Sequence, residues 1–75
     1  MTFDEWLKYK HNDVLNNIVQ TYRENLKKIK NIYDYFALDE LQRLDIDRNR
    51  MAYAEVMKRY LQECMIGEQY EVQSR

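Results

Sequence analysis

Apolar residues recur at helical spacing along most of this chain, and the pattern divides it into three stretches. In the first, Phe3, Trp6 and Leu7 form one face, with the stem of Lys10 beside them. Thr2-Phe3-Asp4-Glu5 fits a capping box, with Thr2 as N-cap and Glu5 at N3. Met1 and Trp6 then occupy the two positions of a hydrophobic staple. Asp4 and Glu5 lie at the positive end of the helix dipole, and Lys8 and Lys10 suit the other end. The pattern predicts a short helix over 3–10.

His11-Asn12-Asp13 interrupts the periodicity, and Asn12 or Asp13 can cap the next helix. Leu15, Ile18, Tyr22, Leu26, Ile29, Tyr33 and Phe36 come next, with steps of 3, 4, 4, 3, 4 and 3. That is one unbroken stripe, and it predicts a helix over 13–36. The repeated step of four departs from a heptad and argues against a long left-handed coiled coil. Val14, Val19 and Ile32 widen the stripe, as a bundle helix needs. Arg23, Lys27 and Lys30 make a separate basic stripe, and Glu24 and Lys28 form a favourable i,i+4 pair.

Ala37-Leu38-Asp39-Glu40 is a softer joint, with Asp39 as the candidate cap. Leu38, Leu41 and Leu44 continue an apolar face. Asp45-Ile46-Asp47-Arg48-Asn49-Arg50 then interrupts it with five polar residues in six. The stripe resumes at Tyr53, Val56, Met57, Tyr60, Leu61 and Cys64. Nothing in the charged segment forces a turn, so one long third helix is expected over about 39–65. The alternative is a kink or a fresh cap at Asp45 or Asp47. Gly67 is placed to end this helix as its C′ residue. Residues 68–75 are polar and aperiodic and read as a flexible tail. The expectation is an all-α fold in one domain over 1–67: a short N-terminal helix and two longer antiparallel helices.

Composition strengthens this and narrows the function. The chain has no proline, and its only glycine is Gly67. Catalytic and phosphate-binding loops draw on the backbone freedom that glycine supplies, so the sequence points away from loop-borne catalysis. With 75 residues it makes at most one domain. A core of that size contributes about 3–5 kcal/mol unless it is stapled or shared. Cys64 is the only cysteine and His11 the only histidine, which excludes a disulfide within the chain and nearly excludes a zinc site. We read no metal, no cofactor and no small-molecule substrate. Hydrophobic residues make up 45% of the chain and include seven tyrosines, which tolerate half-covered positions. A shared core is therefore expected, in a homodimer or a complex with another protein.

The net charge is −1, with six basic and five acidic residues through Ala37 and six and eight after it. Neither the total nor its distribution argues for nucleic acid. No apolar run approaches the roughly 20 residues of a membrane span. The opening Met1-Thr2-Phe3-Asp4-Glu5 lacks the basic region of a signal peptide. A soluble, cytoplasmic protein is the expectation.

Two stretches resemble known families. Asp45-Ile46-Asp47-Arg48-Asn49, followed by Tyr53-Ala54-Glu55-Val56, looks like a degenerate EF-hand calcium loop. Asp45, Asp47 and Asn49 match loop positions 1, 3 and 5. Arg50 replaces the glycine at position 6, and Glu55 falls one residue before position 12. The resemblance would imply a metal-responsive switch; a solvated helix face with mixed charges is the plainer account. Met1-Thr2, Glu5-Trp6-Leu7, Arg48, Arg50, Ala54-Glu55 and Met57 are similar in kind to the Hha/YmoA family, although that family's Ala-Asp-His-Arg segment is missing. These are small helical bacterial proteins that bind a nucleoid-associated partner. The resemblance implies a nucleic-acid-associated modulator, acting directly or through a DNA-binding partner.

The remaining candidates are single residues. His11 has no carboxylate or cysteine at catalytic spacing and reads as a helix-end histidine. Cys64 lies on the apolar stripe and reads as a packed small hydrophobe. Tyr22, Tyr33, Tyr53 and Tyr60 fall on core stripes; Tyr9, Tyr35 and Tyr70 do not. Trp6, Tyr9, Tyr35, Arg23, Lys27 and Lys30 are the residues expected to meet a partner. The functional expectation is a non-catalytic protein-binding regulator, inhibitor or adaptor. It would be of the kind encoded by phages and other mobile elements.

Overall fold

The computed structural model describes residues 1–64. They form an all-α fold of four helices: α1 (Phe3–Lys10), α2 (Asp13–Lys28), α3 (Ile32–Phe36) and α4 (Glu40–Cys64). Gly67 as a helix stop, Tyr70 and the tail over 68–75 lie outside the described residues.

Side-chain caps set the helix starts. Thr2 Oγ1 accepts the Glu5 N–H at 3.2 Å, and Glu5 Oε1 accepts the Thr2 N–H at 2.8 Å, which closes the expected capping box. These bonds to Thr2 hold the Glu5 carboxyl below its usual range. Asn12, not Asp13, caps α2, with its Oδ1 accepting the N–H groups of Val14 and Leu15. Asp39 opens α4 through a reciprocal pair with Gln42, at 2.8 and 3.1 Å. Between α1 and α2, His11 takes a left-handed conformation with φ 50° and ψ 41°. The reversal that glycine usually supplies is made here by a histidine.

The helix expected over 13–36 does not run through. α2 stops at Lys28, Ile29 is extended, and α3 begins after Asn31. Asn31 Oδ1 accepts the Asp34 N–H, and Asp34 Oδ2 accepts the Lys30 N–H, both at 3.0 Å. These bonds satisfy donors at a new helix start, and they compete with the i→i−4 ladder. The break rephases the residues of α3. Tyr33, expected in the core, is 81% exposed, and Ile32 and Phe36 are exposed with it. Tyr35, which lay off the stripe, turns inward and is half-buried.

α4 is a single helix through the charged segment, as expected. It packs antiparallel to α2: Asn25 meets Asn49, Tyr22 meets Tyr53, and Ile18 lies near Val56. The buried core consists of Trp6, Leu7, Leu15, Val19 and Val56. Phe3, Ile18, Tyr53, Tyr60 and Cys64 pack around it. α1 closes one end. Phe3 and Trp6 stack at 6.0 Å, and Tyr60 meets both rings at 5.3 and 5.6 Å. Tyr60 donates its hydroxyl proton to the Met1 carbonyl at 2.7 Å. Among the described residues, no helix is long and apolar enough to cross a membrane.

Candidate functional site

The end of the molecule away from α1 is less well covered. There the last turns of α2, the short α3 and the first half of α4 enclose a cleft of about 140 Å³. Tyr22, Leu26 and Ile29 supply the α2 wall, at steps of four and three, so they share one side of the chain. Tyr35 supplies the α3 wall, and Ile46, Asn49 and Arg50 supply α4. A second hollow lies beside it and shares Ile29, Tyr35 and Arg50. Its lining adds Ile32 and Phe36, with Lys30 at the rim. The two hollows form one apolar surface, with cations from Lys30 and Arg50 at its edge.

Hydrogen bonds hold the walls. The Tyr35 hydroxyl donates to Asp47 Oδ2 at 2.9 Å and pins α3 onto α4. That bond, and partial burial, push the Tyr35 hydroxyl above its ordinary pKa, because ionising it would put a second negative charge beside Asp47. Asn25 Nδ2 donates to Asn49 Oδ1 at 3.1 Å, and Asn49 Nδ2 donates to the Ile18 carbonyl at 3.2 Å. Tyr22 stacks on Tyr53 at 3.8 Å, tilted by only 8°, which makes a flat aromatic end wall. The other Asp47 oxygen, Oδ1, is buried and makes no hydrogen bond; Arg50 Nη2 stands 3.5 Å away as an ionic neighbour.

At about 140 Å³ the cleft has room for one or two side chains. Its polar atoms are engaged in positioning its own walls. The chemistry it offers is apolar contact with flanking positive charge.

The residues expected to meet a partner are divided by the fold. Tyr35 and Lys30 come together at the cleft. Trp6 is 1% exposed, and its indole N–H donates to Glu63 at 3.3 Å, so the fold itself takes up this ring. Arg23 pairs with Asp4 of α1 at 2.7 Å, away from the cleft. Lys27 is exposed near the end of α2, and Tyr9 is exposed on α1. Tyr22, Leu26, Ile46 and Arg50 complete the site, and the sequence does not mark them as partner-binding. Tyr22 and Leu26 read as core from their spacing, Ile46 and Arg50 belong to the charged segment, and only the break at 29–31 shows that the stripe opens there.

The segment resembling an EF-hand lies within α4. Asp45, Asp47, Asn49 and Glu55 lie on one helix, not on a loop; Asp45 and Asn49 share a face, and Asp47 and Glu55 project away from it. Asn49 and Asp47 are bonded to Asn25, Ile18 and Tyr35 instead. Among the described residues, no three or more His, Cys, Asp or Glu side chains converge as metal ligands. Cys64 is half-buried against the core. No protein-family model, curated protein or solved structure matches the chain.

Proposed function

We propose that this protein acts by binding another protein through the cleft between α2, α3 and α4. The observation that carries the reading is the contiguous apolar surface of exposed Leu26, Ile32 and Phe36 around half-buried Ile29. Isolated exposed hydrophobics are ordinary, but a joined set beside a cleft marks an interaction site. The partner that fits is an amphipathic helix. One large apolar side chain enters beside Tyr22 and Tyr35, and acidic residues on its flank meet Lys30 and Arg50. Such binding suits a regulator, inhibitor or adaptor with no chemistry of its own.

Two exposed-site variants test this. Leu26→Asp and Phe36→Asp place a charge on the surface while leaving the buried core intact. A partner retained by the wild-type protein from its host extract should be lost with both, at unchanged thermal midpoint. Recovery of the same protein by both variants overturns the cleft as the site. A nucleic-acid partner would behave differently: its binding would fall steeply, by about 10³-fold or more for many phosphate contacts, between roughly 50 and 200 mM salt.

A further inference from the structure

α4 carries apolar residues on two opposite faces. One face, with Tyr53, Val56 and Tyr60, packs against the core. Leu44 precedes Tyr53 by nine residues, and Met51 precedes Tyr60 by nine, which at 3.6 residues per turn is two and a half turns. Leu44 and Met51 therefore project on the side opposite the core, seven residues apart and nearly in line. Leu41 flanks them. The three are 43%, 69% and 74% exposed for Leu44, Met51 and Leu41. Nothing in the chain's own described fold covers this face, and it is distinct from the cleft.

The charges beside it are ordered. Along α4, Asp45 and Asp47 come first, then Arg48 and Arg50, with Leu44 and Met51 as outer brackets. The segment reads acid, acid, base, base, so its reverse is its electrostatic complement. A second copy laid antiparallel across it, with the twofold axis between Asp47 and Arg48, sets Leu44 against Met51 of the partner at both ends. On one flank Asp45 lies toward the partner's Arg48 and Arg48 toward the partner's Asp45, while Asp47 and Arg50 stay on the cleft side, where Asp47 accepts the Tyr35 hydroxyl. A parallel arrangement would instead put every charge beside its like. A twofold contact needs a self-complementary patch, and this segment is one.

We propose that the protein forms an antiparallel homodimer through the outer face of α4, centred between Asp47 and Arg48. The proposal does not rest on the cleft. A dimer could form whether or not the cleft binds a partner, and the cleft variants leave this face unchanged.

Light scattering on the eluting peak and sedimentation tests it. Wild-type protein should show twice its chain mass of 9.3 kDa at high concentration and dissociate on dilution. Leu44→Glu with Met51→Glu should return the single-chain mass at unchanged helical circular dichroism. Charge reversal gives the sharper result. Asp45→Arg alone and Arg48→Asp alone each create like-charge contacts and should each weaken the dimer at least tenfold. An equimolar mixture of the two should restore the double mass, because each reversed charge then meets its opposite. Wild-type protein that keeps its single mass at millimolar concentration overturns the proposal. So does a double mass that survives the Leu44/Met51 substitutions, or a mixture that associates no better than its components.

Discussion

Glu63 gathers three donors onto one carboxylate. Lys10 Nζ lies at 2.6 Å, Arg59 Nε at 3.0 Å and the Trp6 indole at 3.3 Å. The Lys10 bond is the main reason its pKa falls from 4.5 to about 2, against the opposing effect of partial burial. A carboxylate depressed in the folded state stabilises the fold above its unfolded pKa, and loses that contribution as pH falls through the folded value. The urea midpoint of the wild-type protein should therefore decline as pH drops from 4.5 towards 2, as Glu63 protonates. Glu63→Gln should be less stable at neutral pH, and its curve should converge on the wild type at the acid end. Parallel curves would remove Glu63 as the cause. His11 is a second residue-level lever. A non-glycine residue held left-handed costs about 1–2 kcal/mol, part of which glycine returns as unfolded-state entropy. His11→Gly should gain about 0.5–1 kcal/mol in equilibrium unfolding. Neither residue announced its role in the sequence. The Thr2–Glu5 box was legible because its partners are three apart, whereas Glu63 meets Trp6 across 57 positions.

At the scale of elements, the caps carried the reading and the missing breakers misled it. α1 matches expectation from cap to end, and α4 runs unbroken through the charged segment to Cys64, as expected. The joint at 29–31 has no proline or glycine, so a stripe of uniform step looked continuous across it. Its signal was Asn31 with Asp34 three residues on, a cap pattern hidden inside an apolar run. The pairing of α2 with α4 rests on more than apolar contact. Asn49 spans the two helices, accepting from Asn25 and donating to the Ile18 carbonyl. Partly buried polar pairs of this kind fix how two helices slide against each other. Asn49→Ala strands the Asn25 amide and should cost about 1–2 kcal/mol. Asn25→Ala with Asn49→Ala should cost less than the two single changes together, because no partner is left unpaired. Strict additivity in the denaturation cycle would mean that the pair is not coupled.

At the scale of the whole molecule, five buried residues carry the core, and Trp6 is the largest. Trp6 joins α1 to the last turns of α4 through its ring contacts with Phe3 and Tyr60 and its bond to Glu63. Truncating a buried aromatic costs about 3–5 kcal/mol. A domain this small has about the same amount in total. Trp6→Ala should therefore abolish cooperative thermal unfolding in the isolated chain, as read by far-ultraviolet circular dichroism. Tyr33→Ala, at an exposed position, should change stability by no more than about 0.5 kcal/mol. The contrast tests whether stability is concentrated at the α1 end, leaving α3 and the cleft as the weakly held part. If the α4 face pairs two chains, association adds to a small intrinsic stability, and the wild-type midpoint rises with protein concentration. Trp6→Ala should then regain part of its structure at high concentration. Adding Leu44→Glu and Met51→Glu should remove that rescue, which ties the core at one end of α4 to the outer face near the other.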